Sequence, residues 1–100
     1  MTLETTLWDP ADHIDTAEDV AAYLAAAFED GDPAVIATML GAVARSKGMT
    51  VVAREAGITR EALYRSLSER GDPRLSTLLG VMKALGLRLA VEAAPTSGAA

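Results

Sequence analysis

The chain has no cysteine, which closes off disulfides and thiolate metal sites. It has one histidine, His13, and four aromatic residues, Trp8, Tyr23, Phe28 and Tyr64. With one imidazole, no thiol, no glycine-rich phosphate loop and no carboxylate pair on a firm helix face, the means of catalysis are missing. The expectation is a protein that is not an enzyme and needs no cofactor. Asp9, Asp12 and Asp15 lie near His13, but one histidine in an irregular stretch makes a poor metal site, and none is expected. No apolar run reaches the roughly 18 residues of a membrane span, and no basic start leads into an apolar stretch. The reading is a cytoplasmic chain with neither membrane span nor signal peptide.

The first 32 residues also lack lysine and arginine. They hold nine acids, Glu4, Asp9, Asp12, Asp15, Glu18, Asp19, Glu29, Asp30 and Asp32, whereas residues 33–100 hold all nine bases against five acids. The net charge of −5 therefore conceals a segment at −9 and a remainder at +4. Such asymmetry implies two surfaces with different partners. Three regions follow: an acidic segment and helix at 1–32, a basic domain at 33–92, and a flexible tail at 93–100.

What the chain has in abundance is alanine, 20 of 100 residues. Alanine has the best helix propensity and lets helices approach closely, so the expected fold class is all-α. Residues 1–15 read as extended or irregular. Thr16 to Asp19 resembles a capping box opening a helix to about Glu29, with Val20, Leu24, Ala27 and Phe28 as its apolar stripe. Asp32-Pro33 and Asp72-Pro73 place an N-cap before a proline at the first helical position, and each starts a helix. The first of these buries Val35, Ile36, Met39, Leu40 and Val43 and ends on Arg45 and Lys47, read as helix-end charges, before Gly48. The second buries Leu75, Leu78, Leu79, Met82 and Leu85. Two short helices lie between them, at about 49–56 and 59–67. After Gly86, residues 87–92 alternate with period two and are expected to form a short β-strand, which has no partner in its own chain and suits pairing with a second copy or a partner's sheet edge.

Residues 49–67 read as a helix-turn-helix. Ala53 is the small residue where the two helices touch, Gly57 supplies the positive φ of the turn, and Ile58 fills the space beneath it. Leu63 faces back onto Val52 and Ala53, and Thr59 caps the second helix. Thr59, Arg60, Glu61, Tyr64 and Arg65 are left pointing outward. Arginine makes bidentate bonds to guanine, a threonine methyl meets thymine, and glutamate accepts from cytosine N4, so this set suits the first turns of a helix in the major groove. Glu61 has a second role open to it, an ion pair with Arg65. Arg54, Arg70 and Arg74 are candidate phosphate contacts around the motif, Arg54 having a salt bridge to Glu55 as its alternative.

From about Trp8 to Val91 the chain resembles the addiction module antidotes, the HigA-like antitoxins, whose helix-turn-helix is similar to that of lambda and Cro-type repressors. The resemblance rests on Trp8-Asp9-Pro10, the helix around Ala21 to Leu24, Glu29 to Pro33, Lys47-Gly48-Met49, Ala53 to Glu61, Leu63-Tyr64, Asp72-Pro73 and Lys83 to Leu87. It implies a five-helix lambda-repressor-like domain, a homodimer on double-stranded operator DNA, neutralisation of a RelE/ParE-like toxin, and repression of the protein's own operon. Met49 and Thr50 stand where lambda-type repressors often carry glutamine, and Ser66 occupies a usually apolar slot that Leu67 must fill. The acidic segment is the expected meeting place for a basic toxin. Two other readings stay open, a stand-alone repressor and a helical module that binds only protein.

Overall fold

The computed structural model describes residues 16–95. The expectations for residues 1–15, His13 among them, and for the end of the tail lie outside these residues. Among the described residues the chain forms five helices and no strand: α1 (Ala17–Asp30), α2 (Pro33–Lys47), α3 (Met49–Ala56), α4 (Arg60–Ser66) and α5 (Leu75–Ala84).

The first two helix starts follow from local chemistry. At Thr16 both bonds of a capping box form: the Asp19 N–H donates to Thr16 Oγ1 at 3.1 Å, and the Thr16 N–H donates to Asp19 Oδ2 at 3.3 Å. Asp32 caps α2 by accepting from the Ala34 N–H at 2.9 Å, with Pro33 in the first turn. Between α2 and α3 the chain turns through 112° at Gly48. Neither helix is long and apolar enough alone to cross a membrane, nor is any other among the described residues.

One core unites the helices. Leu24 of α1, Leu40 and Val43 of α2, Val52 of α3, Leu63 of α4 and Val81 of α5 are all buried in it. Removing one such leucine or valine side chain from water contributes about 1.5–3 kcal/mol. α1 packs on α2, while α3 is the shared neighbour of α2, α4 and α5. Val20, Leu24 and Ala27 are buried on α1 as its periodicity predicts, and Leu67 is buried in the place that Ser66 leaves.

The structure corrects three expectations. The Asp72-Pro73 pair does not start α5: its N-cap is Arg74, with no side-chain cap bond, and the helix begins at Leu75. The turn before it holds Gly71 so close to the Ser66 carbonyl that a Cβ there would collide with it, and the chain runs past Asp72 and Pro73 before coiling.

The buried faces of α2 and α5 are also rotated from those expected. On α5, Thr77, Val81, Met82 and Ala84 are buried, whereas Leu75 is 68% and Leu79 45% exposed. On α2, Ala37, Gly41 and Ala44 join Leu40 and Val43 inside, leaving Val35, Ile36 and Met39 half-buried. The cause is close helix contact. A Cβ at Gly80 would stand 2.8 Å from Ala56 Cα, and one at Gly41 would meet the Leu67 carbonyl. Small residues take these contact lines, so Leu75 and Leu79 are left outside, while Leu40, Val43, Met82 and Leu85 are buried as expected and Leu78 packs against the core.

Lastly, residues 87–92 form no strand. Leu87 rests half-buried against the core and donates its N–H to the Met82 carbonyl at 2.8 Å, closing α5 with Gly86. Nothing in the described chain offers the residues beyond it a ladder, and a strand without a partner is not a strand.

Candidate nucleic-acid interface

The pair α3–α4 is built around Gly57. At φ 75° this residue occupies the left-handed region that glycine enters without steric cost. Its N–H bonds the Arg54 carbonyl at 3.2 Å and that of Ile58 bonds the Ala53 carbonyl at 3.1 Å, the paired bonds of a Schellman stop. Ile58 then tucks against the core, and Thr59 caps α4 by accepting from the Ala62 N–H at 3.0 Å. Leu63, fully buried, joins Val52 and Ala53 in the core and holds α4 on α3.

With that face committed, Arg60, Glu61, Tyr64 and Arg65 are exposed. They form two adjacent stripes on α4. In the first, the Arg60 guanidinium lies over the Tyr64 ring, 5.7 Å from its centroid. At an exposed site such a contact contributes about 0.5–1 kcal/mol and holds both side chains in one orientation. In the second stripe Glu61 and Arg65 form no ion pair, and Arg54 and Glu55 form none either. The guanidinium groups of Arg54, Arg60 and Arg65 are thus without an acidic partner in the described chain.

Three shallow concavities surround this surface. One joins Arg60 and Tyr64 to Arg45, Met49 and Thr50, where the end of α2 meets the start of α3. A second runs along the turn past Arg54, Gly57 and Thr59. A third brings Arg65 and Arg70 together with Ser68, whose hydroxyl donates to the Arg65 carbonyl at 2.9 Å. Of the residues expected from sequence, the structure gathers Thr59, Arg60, Tyr64, Arg65, Arg54 and Arg70 on or beside these hollows. Glu61 lies exposed on α4 outside them, and Arg74 sits apart at the start of α5.

Arg45 and Thr50, which sequence reasoning left off the candidate contacts, line the hollow beside Arg60 and Tyr64. Arg45 looked like a helix-end charge, equivalent to Lys47. Two residues apart on α2, they point to nearly opposite sides of the helix: Arg45 faces the hollow beside α4, which the 112° turn at Gly48 brings alongside, and Lys47 lines another with Thr16 and Ala17 at the start of α1. The signal available in the sequence was the Lys47-Gly48-Met49 break, which brings the end of one helix to the beginning of the next. α3 has no side-chain N-cap, so its first N–H groups beside Thr50 are open to an outside acceptor.

The described chain is a small all-helical protein with an exposed, arginine-bearing helix seated on a tight turn. A family model described as "Probable addiction module antidote protein" matches residues 4–93 of its 100 residues. The chain belongs to this family, which bears out the antidote part of the resemblance. An addiction module couples an antidote to a toxin, so membership carries a toxin partner in general. The chain is also similar to a Haemophilus influenzae protein described as "Uncharacterized protein", 38% identical over 92 residues that cover 92% of this chain and 95% of that one. No solved structure matches it.

Proposed function

We propose that this antidote binds DNA, with α3 and α4 acting as a lambda/Cro-like helix-turn-helix of the HigA type. The observation that carries the reading is the outward face of α4, where Arg60, Tyr64 and Arg65 stand exposed on a helix capped by Thr59 and anchored through buried Leu63. α4 enters the major groove of double-stranded operator DNA. Arg60 and Arg65 reach guanine edges or phosphates, Thr59 meets a thymine methyl, and Glu61 accepts from cytosine N4. Tyr64, Arg54, Arg70 and Arg74 hold the phosphates, together with Arg45 and Thr50. Two copies place their recognition helices about 34 Å apart on a palindromic operator, and the protein represses its own operon. It works in the cytoplasm, without cofactor or catalysis.

The toxin is a basic RelE/ParE-like protein that meets the acidic end of the chain. α1 carries exposed Glu18, Glu29 and Asp30 and no base, and it packs on α2 rather than α4. Acids on that helix attract a basic partner and stay clear of the phosphates that α4 approaches.

The test is a gel shift on the gene's own promoter, comparing wild type with the double variant Arg60→Ala, Arg65→Ala. Binding by the wild type, lost in the variant, is expected; a wild type that fails to bind even at low salt refutes DNA recognition and leaves a module that binds only protein. Co-purification with the product of the adjacent gene tests the toxin half. Promoter binding without any such partner would make the chain a stand-alone repressor.

A further inference from the structure

Exposed large apolar side chains are unevenly distributed in this protein. One, Tyr64, belongs to the candidate interface; the other four, Leu75, Leu79, Leu89 and Val91, all fall in the last stretch of the described chain, with Val91 99% exposed. The backbone at the end of this stretch, beyond α5, is equally unpartnered. After the Leu87 N–H, residues 88–95 make no backbone hydrogen bond to any described residue. An alternating apolar segment with open N–H and C=O groups is a template for β-pairing with another chain.

The sequence of the segment indicates which chain. In an antiparallel pair of two identical copies centred on Ala90, Arg88 lies opposite Glu92 of the second copy and Leu89 lies opposite its Val91. Each relation occurs twice, by symmetry. Leu89 and Val91 share one face and Arg88, Ala90 and Glu92 the other, so apolar meets apolar and opposite charges meet. Moving the centre by a half or whole residue sets Arg88 and Glu92 against apolar or alanine positions instead, so the register is specified. Within residues 88–92 one base, Arg88, balances one acid, Glu92, so the segment offers a basic toxin no net negative charge.

We propose that residues 88–92 form an intermolecular antiparallel strand pair with a second copy of this chain, centred on Ala90. The inference deepens the homodimer part of the reading above and does not depend on its DNA-binding part. It also accounts for the period-two pattern that a single chain leaves unused.

The full chain tests this in two ways. Sedimentation equilibrium compares wild type with Arg88→Glu, Glu92→Arg and the double swap. Each single swap sets like charges opposite each other twice and should weaken self-association about ten-fold, while the double swap restores it. Because the chain has no cysteine, Ala90→Cys introduces its only thiol. Directly opposed strand residues have Cα atoms about 4.5–5.5 Å apart, within disulfide reach, so this variant should cross-link under mild oxidant and Val91→Cys should not. A monomeric wild type, single swaps without effect, or equal cross-linking of both thiol variants would overturn the proposal. Residues 88–92 protected from hydrogen exchange only when toxin is added would overturn it in favour of the toxin. A dimer that behaves as expected yet fails to bind the promoter sinks the DNA reading and leaves this one standing.

Discussion

Leu63 and Tyr64 are adjacent in sequence, yet they have opposite duties. Leu63 is fully buried and fastens α4 to α3, while Tyr64, 43% exposed, lies beneath the Arg60 guanidinium. Leu63→Ala should therefore cost about 2–5 kcal/mol of stability in urea unfolding and carry any DNA binding down with it. Tyr64→Ala should lower stability in urea by only about 0.5–1 kcal/mol, the worth of the Arg60 contact, and weaken promoter binding by more than that loss accounts for. Gly80 tests the rotated face of α5. A Cβ there meets the Ala56 backbone, so Gly80→Val should lower stability by about 1–3 kcal/mol, read as a drop in melting temperature. Leu75→Ser at its 68% exposed site should not. From sequence Leu75 and Leu79 looked like part of the α5 core; helix contact distance leaves both of them outside it.

Among the elements, capping separates the helices that local sequence could locate from those it could not. Thr16, Asp32 and Thr59 each accept a bond from a first-turn N–H, and the helices they open start where their patterns place them or within a residue. Thr59→Ala should cost about 1 kcal/mol and, because it frees the first turn of α4, should loosen promoter binding more than its stability loss alone accounts for. Thermal unfolding and titration of one protein preparation distinguish the two effects. Asp72-Pro73 shows the limit of such signals. It has the same two residues as Asp32-Pro33, but the close approach of Gly71 to α4 governs the chain there, and α5 waits for Leu75. The same holds for Arg45, whose place beside α4 depends on a turn between helices and not on its own neighbours in sequence.

For the molecule as a whole, charge sets the conditions under which binding can be read. If Arg60 and Arg65 hold phosphates, the double variant Arg60→Ala, Arg65→Ala should flatten the dependence of log affinity on log salt by roughly two contacts; if they read guanines, the slope stays and sequence preference is lost. Titrations at several salt concentrations on promoter and unrelated DNA distinguish the cases. Glu29→Lys with Asp30→Lys on α1 should weaken capture of a basic toxin with little effect on promoter affinity, because α1 packs against α2 and away from α4. Equal loss of both activities would mean that the charges do not divide the surface.

The sequence by itself determined the all-helical class, the positions of α1 to α4, the turn at Gly57 and the outward set on α4. These depend on local rules, namely caps, helical period and the freedom of glycine, which act over a few residues. Only the tertiary structure decided which faces of α2 and α5 are buried, because close helix contacts favour Ala37, Gly41 and Gly80 over larger neighbours. It alone brought Arg45 to α4. It also left residues 88–92 unpaired, since a strand exists only where another strand completes its hydrogen bonds.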